Sequence, residues 1–376
     1  MTLAPLFDRA DFRIPEGVAH VCAGGETPFL HRHDAALLRY AADKSAGPAG
    51  RDAMQAEVDQ ARLRAARLWG VDAADLGFVG AVADGVSLVA ESLDWREGDT
   101  VCVDPDEYPS VVGPFAMQRR PKVALRFTER RDPDRYARAV DAHTRVIAVS
   151  YVSYLTGERL DLHALRQIAD SVGALLVVDF TQASGCLPIE AEVADFAFSS
   201  CYKWLLGTTG VALAWWNRAR QPGWTPTTAG WHSLALADRP DYAAGVRVKP
   251  GGVRFTRGNP PHTALYVLAG ALEYLEAWPA ATVQAHVQRL TTGLMERLDA
   301  AGIAFRTPRE PARHGPNVCI DSPHAAAIAE GLVRRGVYAW NGHGRIRFSF
   351  HGYNGGDDLN RIMEALQAEM GALPRE

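Results

Sequence analysis

The segment 174-ALLVVDFTQASGCLPIEAEVADFAFSSCYKWLLGTTGVALAWW-216 holds three short apolar runs separated by polar and glycine-rich turns. Ala174–Val178 is bounded by Gly173 and closed by Asp179, the pattern of a buried parallel strand with an acid at its C-terminal end. A second run, Ala194–Phe198, delivers Ser199, Ser200, Cys201, Tyr202 and Lys203. Gly207–Gly210 then turns the chain into a third run, Val211–Trp216. Ligands of open α/β sheets sit beyond the carboxyl ends of the strands, so Asp179 and Lys203 are expected at one crevice.

An amine and a carboxylate placed that way suit pyridoxal phosphate (PLP). A lysine whose pKa is lowered by burial or a nearby cation can form a Schiff base with the cofactor aldehyde. The carboxylate holds the pyridine nitrogen protonated, so the ring withdraws electrons from a carbanion at the substrate Cα. Gln182 is placed to hydrogen-bond the phenolic oxygen of the ring, and Ser200 and Tyr202 offer hydroxyls to the phosphate. A strand-end acid and a surface lysine without chemistry are the alternative. D-x-x-Q at 179–182, then S-x-Y-K at 200–203 before a Gly-rich turn, resembles the class V aminotransferase group. That group includes cysteine desulfurases, selenocysteine lyases, kynureninases and isopenicillin N epimerase.

Working outward, further segments resemble the same family in the same order. Leu76–Val79 reads as a strand, followed by Gly80–Asp84 and an expected helix, Gly85–Leu93, whose N-terminus offers amides and a positive dipole end to a phosphate. The family's A-T-E at this point is Val82-Ala83-Asp84 here. A hydroxyl is missing, so only the backbone contribution carries over. Thr100–Val103 is a strand, and Glu107-Tyr108-Pro109-Ser110 beyond it is nearer the F-P-T of kynureninases than the E-H-H of desulfurases. Tyr108 is therefore the ring expected to stack on PLP. Tyr151–Gly157 matches the family's V-S-x-x-x-G segment and puts Ser153 near the cofactor.

Downstream, Gly258-Asn259-Pro260-Pro261 stands where the family carries G-T-P and resembles the S-N-P-P of kynureninases. The resemblance implies that Asn259 reaches the phosphate of a neighbouring subunit. It thereby implies a homodimer with active sites at the interface. Gly344–Asn354 resembles the C-terminal R-x-S-x-x-x-Y-N segment, and alignment through Tyr353-Asn354 selects Arg347 over Arg345 as the ligand of the substrate α-carboxylate.

The expected fold is α/β: a fold-type I PLP enzyme with a large, mainly parallel, doubly wound sheet and a smaller C-terminal α/β domain. The expected division is an N-terminal arm over 1–28, a PLP-binding domain over 29–262 and a small domain over 263–376. With 47% hydrophobic and 22% charged residues, 376 residues suffice for a large core. The formal net charge of −4 gives no reason to expect nucleic acid or an anionic membrane as partner. Transmembrane-length apolar runs and a secretory leader are not seen, and the five scattered cysteines fit a reducing compartment and argue against a zinc site. A cytoplasmic location is the expectation.

The expected activity is PLP-dependent chemistry at Cα or Cβ of an amino acid, of aminotransferase or lyase type, with Lys203 as catalytic base. Kynureninase-like hydrolysis and epimerisation are alternatives, and a non-catalytic phosphate-binding relative is the alternative of another class. Desulfuration is disfavoured, because desulfurases need a mobile cysteine shortly before the carboxylate-binding arginine and Gly336–His343 contains none. His232, His262, His343 and His351 are candidate second acids or bases, each also explicable as a structural histidine.

Overall fold

The computed structural model describes residues 3–118, 121–129, 131–237 and 241–372. An N-terminal arm carries the short strand β1 (Ala19–His20) and leads into helices α1 (Arg32–Ser45) and α2 (Gly47–Trp69). The central sheet is then laid down by β2 (Leu76–Val79), β3 (Thr100–Val103), β4 (Ala124–Phe127), β5 (Thr144–Ser150), β6 (Leu175–Asp179), β7 (Phe196–Ser200) and β8 (Ala212–Trp216). Helices α3 (Val82–Ser92), α4 (Pro109–Ala116), α5 (Pro133–Ala139) and α6 (Leu162–Val172) fall between these strands.

The sheet order is β2-β8-β7-β6-β5-β3-β4. Every neighbouring pair is parallel except those of β8, which runs antiparallel to both β2 and β7. Strands β5 and β6 lie at the middle, with helices covering both faces, so their residues are apolar almost without alternation. Asp179 ends β6 opposite Ser150 of β5 and Phe198 of β7. The chain of β7 continues past that level to Lys203, so Asp179 and Lys203 lie at the same edge of the sheet.

A second, three-stranded sheet of order β11-β12-β9 uses β9 (Asn317–Asp321), β11 (Trp340–Gly342) and β12 (Arg345–Ser349), all antiparallel. Helices α7 (His262–Leu275), α8 (Ala280–Ala300), α9 (Ala325–Arg334) and α10 (Gly356–Gly371) complete this half of the chain. The two-residue strand β10 (Val337–Tyr338) pairs in parallel with β1, and Cys22 bridges to Ser349, which ties the arm to the second sheet.

Local chemistry explains where elements begin and end. Helix α6 starts as its sequence predicts because Asp161 accepts the Ala164 amide at 3.0 Å. It stops at Gly173, whose φ of 72° lets its amide close onto Ala169 and Asp170 carbonyls. Helix α3 differs from expectation, since it starts at Val82 rather than Gly85. Asp84 Oδ2 accepts the Ala81 amide at 2.9 Å and anchors the earlier turn. Gly85 lies inside the helix because it meets a strand side chain: a Cβ there would sit 2.4 Å from Phe198 Cε1. Helix α2 starts at Gly47, with Pro48 in its first turn. Helices α4 and α5 were hidden in segments resembling loops, and each also opens on a proline.

Candidate active site

Lys203 and Asp179 are both buried, at 5% and 4% exposure, beyond the ends of β7 and β6. Burial, followed by the charge of Arg347, pushes the Lys203 amine down to about 8, against the opposing pull of Asp179. Its Nζ lies 5.5 Å from the ring centre of Tyr108 and 5.3 Å from that of Tyr202. Among the described residues it forms no ion pair. Burial pushes the Asp179 carboxyl up to about 6, although Thr181 donates both its hydroxyl (2.5 Å) and its amide (2.9 Å) to Oδ1. Both donors go to one oxygen. Among the described residues Oδ2 receives no hydrogen bond, so it is free for a cationic N–H.

Tyr108 is held from beneath. Glu107 accepts the Tyr108 amide on Oε1 and the Ser150 amide on Oε2, both at 2.7 Å, and the Ser150 hydroxyl on Oε1. Arg131, on the chain after β4, sits 3.4 Å from both Glu107 Oε2 and Asp104 Oδ2 and donates to the Ser150 carbonyl. This buried acid–arginine–acid group joins the ends of β3, β4 and β5, and sequence reasoning did not find it. A glutamate beside the stacking tyrosine was the available signal.

Arg347 is 2% exposed, and among the described residues no carboxylate pairs with it. Its Nη1 donates to the Tyr154 carbonyl at 2.6 Å, the Trp340 ring centre lies 4.5 Å from its Cζ, and Nε is buried without a partner. Burial lowers the pKa of this guanidinium. A buried cation of this kind is costly until an anion meets it. Arg345, by contrast, is bound to Asp321 at 2.9 Å.

Ser153 is buried nearby, but its oxygen accepts the amides of Leu155 and Thr156 at 3.2 Å and so caps the 153–157 turn. The neighbour Tyr154 makes the contacts that matter here, through its carbonyl to Arg347 and its ring to Tyr108 at 5.0 Å.

Gln182 is buried, donates through Nε2 to the Gly24 carbonyl at 3.0 Å and leaves Oε1 unpartnered. The arm therefore reaches the site. Gly24 is required there, because a Cβ would lie 2.7 Å from Ser349 Oγ and 2.9 Å from Trp204 Cη2. The arm also brings the half-buried Cys22, whose charge field includes Arg347 and whose thiol burial pushes up, keeping it protonated.

The residues expected to meet a phosphate offer backbone amides and a few hydroxyls. Val82 points its side chain into the core, so its amide and that of Ala83 are what the start of α3 offers. Asp84 is spent on its own helix end. Ser200 donates its amide to Thr181 Oγ1 at 2.8 Å, and the half-buried Tyr202 hydroxyl is pushed by burial to about 12, so it remains a donor. Asn259 is exposed in a cleft of about 350 Å³ that it shares with Gly80, Asp84 and Thr256. Beyond Lys203, Leu206 holds φ at 57°, one of two non-glycine residues with positive φ among those described, so backbone strain sits beside the lysine. His351 is fully buried, with Nε2 2.9 Å from the Trp204 carbonyl and its pKa lowered to about 4 by burial, which makes it a structural histidine.

Comparison with known proteins identifies the family. The family model for aminotransferase class V matches residues 32–362. The chain belongs to the class V aminotransferase family. Among its relatives, a kynureninase of Pseudomonas fluorescens is 29% identical over 228 residues, covering 58% of this chain and 54% of the relative, so the match spans about half of that enzyme. A probable cysteine desulfurase of Pseudomonas putida is 28% identical, with 80% of each chain covered. The apo cysteine desulfurase of Thermococcus onnurineus superposes with a TM-score of 0.86 at 20% identity, over 97% of this chain and 98% of that one. C-DES, as a variant with glycine covalently linked to its PLP cofactor, gives 0.87 at 20% identity over 96% and 99%. These likenesses confirm the fold: α/β, with the mostly parallel sheet expected of a class V enzyme.

The donor set fits the cofactor of this family, pyridoxal phosphate. Lys203 supplies an unpaired buried amine for its aldehyde, and the free Oδ2 of Asp179 suits a protonated ring nitrogen. Unpartnered Gln182 Oε1, the Tyr108 ring and the α3 amides are available to the remaining ring and phosphate groups.

Proposed function

We propose that this class V enzyme acts at Cα or Cβ of an amino acid whose carboxylate binds Arg347, with Lys203 moving the Cα proton and the outcome of aminotransferase or C–X lyase type. The observation that carries this reading is Arg347 itself: a buried guanidinium without a carboxylate partner among the described residues, electrostatically coupled to the catalytic lysine. PLP, when bound, supplies an aldehyde for amines and a ring that withdraws electrons. The chain's own residues do the rest. Arg347 presents a planar fork to the substrate carboxylate and thereby orients Cα. Lys203, with its amine near 8, is poised to accept and return a proton close to neutral pH. Asp179 would hold the ring nitrogen through its free Oδ2, and Tyr108 would offer its ring to the pyridine.

Kynureninase-like hydrolysis is the second reading, supported by Tyr108-Pro109 at the ring and by the similarity to a kynureninase. Desulfuration is disfavoured. The segment before Arg347 is a tight hairpin without cysteine, and Cys319 is buried opposite Arg347 in β9 with its thiol pushed up to about 11 by burial. We also infer a homodimer, supported by the exposed Asn259 beside the start of α3 and by exposed Trp231, Leu236, Tyr242 and Val246 on the neighbouring segment. A cytoplasmic setting is supported by five free cysteines. Among the described residues no helix is long and apolar enough to cross a membrane.

The test compares wild type with Lys203→Ala, each supplied with PLP. Borohydride-trapped cofactor on Lys203 in wild type alone, followed by turnover of one amino acid in a panel scored for ketoacid, pyruvate, anthranilate or inverted product, is expected. Undiminished turnover by Lys203→Ala sinks the assignment. Trapped cofactor without turnover of any amino acid leaves the non-catalytic reading in its place.

A further inference from the structure

Resting on that reading, we propose that the site selects amino acids with an aromatic side chain and that Trp340 is its specificity-determining residue, serving also to position Arg347. The β11–β12 hairpin is closed by His343 and Gly344, with φ of 54° and 70°, the positive pair that a two-residue type I′ turn requires. Trp340 sits opposite Arg347 in register, and its indole stacks on the guanidinium at 4.5 Å. The indole is confined by glycines. A Cβ on Gly342 would lie 2.6 Å from Cη2 and Cζ2, and one on Gly25 would lie 3.5 Å from Cδ1. A ring face in place of a carboxylate holds Arg347 without neutralising it, so its N–H groups stay available to a substrate carboxylate.

From Trp340 the rings continue toward the cofactor side. His343 tilts against Trp340 at 6.4 Å and meets the Tyr154 ring edge-on at 6.2 Å, and Tyr154 meets Tyr108 edge-on at 5.0 Å. This wall joins the residue that binds the carboxylate to the ring beside Lys203, the span a bound amino acid occupies. Tyr108, Tyr154 and Trp340 are each only partly buried and His343 is exposed, so the wall has some apolar surface left to cover. Of the neighbouring charges, Arg345 is engaged by Asp321 and Glu107 by Arg131, whereas Asp106 and Glu26 form no ion pair among the described residues. On the wall itself an aromatic side chain gains offset or edge contacts with Tyr108, Tyr154 and Trp340.

The test is calorimetry on the full-length, PLP-loaded protein with 3-phenylpropionate and propionate, carboxylates that lack an amine and do not react. Wild type is expected to bind 3-phenylpropionate at least tenfold more tightly than propionate. Trp340→Leu should weaken both probes and reduce the ratio below threefold, while Trp340→Phe restores most of both. His343→Gly, which suits the turn and folds even if Trp340→Leu does not, should weaken 3-phenylpropionate at least threefold and leave propionate unchanged. Equal affinities in wild type, or an unchanged ratio in both Trp340→Leu and His343→Gly, overturn the proposal while Arg347 keeps its role. If neither probe binds, or Arg347→Ala leaves binding intact, the Arg347 assignment fails and the proposal falls with it. Borohydride-trapped cofactor measured in the same samples separates either result from a failure to bind PLP.

Discussion

Thr181 donates twice to the same oxygen of Asp179, through its hydroxyl at 2.5 Å and its amide at 2.9 Å. The pair occupies one oxygen of the carboxylate and leaves Oδ2 without a hydrogen bond among the described residues. Thr181 Oγ1 also accepts the Ser200 amide at 2.8 Å, so one hydroxyl links the ends of β6 and β7. Thr181→Val removes both hydroxyl bonds and strands a buried donor. It is expected to cost about 1–3 kcal/mol in urea denaturation and to weaken PLP binding, with Thr181→Ser close to wild type.

The Asp179 carboxyl, raised to about 6 by burial, makes the cofactor-free protein pH-sensitive. Its folded pKa lies above the ordinary value of 3.8, so the folded state holds the proton more tightly. That contribution is fully present below about 3.8 and is lost as pH rises through about 6. At pH 8 the bare, ionised carboxylate is therefore a liability. Asp179→Asn should stabilise the apo protein there by about 1–3 kcal/mol in chemical denaturation, yet lower PLP affinity at least tenfold. A variant that is less stable at pH 8 and binds PLP normally would contradict both halves.

Attachment of PLP requires the neutral lysine amine. With Lys203 depressed to about 8 by burial and then by Arg347, the neutral fraction grows tenfold per pH unit below that value and levels off above it. Stopped-flow mixing of apo protein with PLP should show the attachment rate bending near pH 8, not above pH 10. Arg347→Gln removes the second cause and should move the bend upward.

Glu107 gives Tyr108 its position while neutralising Arg131. Glu107→Ala leaves Arg131 buried with Asp104 alone among the described acids and is expected to destabilise by about 3–5 kcal/mol. Glu107→Gln keeps the shape and an acceptor for the Tyr108 amide, so its loss should be smaller. A shift in the bound-cofactor absorption spectrum of Glu107→Gln, at unchanged PLP stoichiometry, would report a displaced Tyr108 ring.

Gly24→Ala places a methyl against Ser349 Oγ and Trp204, and the Gln182 contact depends on the same stretch of arm. The overpacking is expected to lower thermal stability by about 1–3 kcal/mol and to raise the dissociation constant for PLP severalfold. A neutral result would mean that the arm is not seated on the site.

The sequence alone determined the strand–helix alternation and the placing of Asp179 and Lys203 at one sheet edge, because these follow from local pattern. An apolar run bounded by glycine and closed by an acid ends a buried strand, and in a parallel sheet all such ends face one way. Helix α6 was legible to the residue because Asp161 and Gly173 cap it. The reversed direction of β8, the early start of α3 and the proline-opened helices α4 and α5 were not, since packing against distant strands decides them. Only the tertiary structure decided that the Tyr154 carbonyl meets Arg347, that the arm brings Gly24 and Cys22 to the site, and that Trp340 replaces a carboxylate beside Arg347. Arg131 and Glu107, or Gln182 and Gly24, meet across long stretches of chain. Neither periodicity nor a motif encodes such meetings, because they exist only after the core has closed and each buried polar group has had to find its partner.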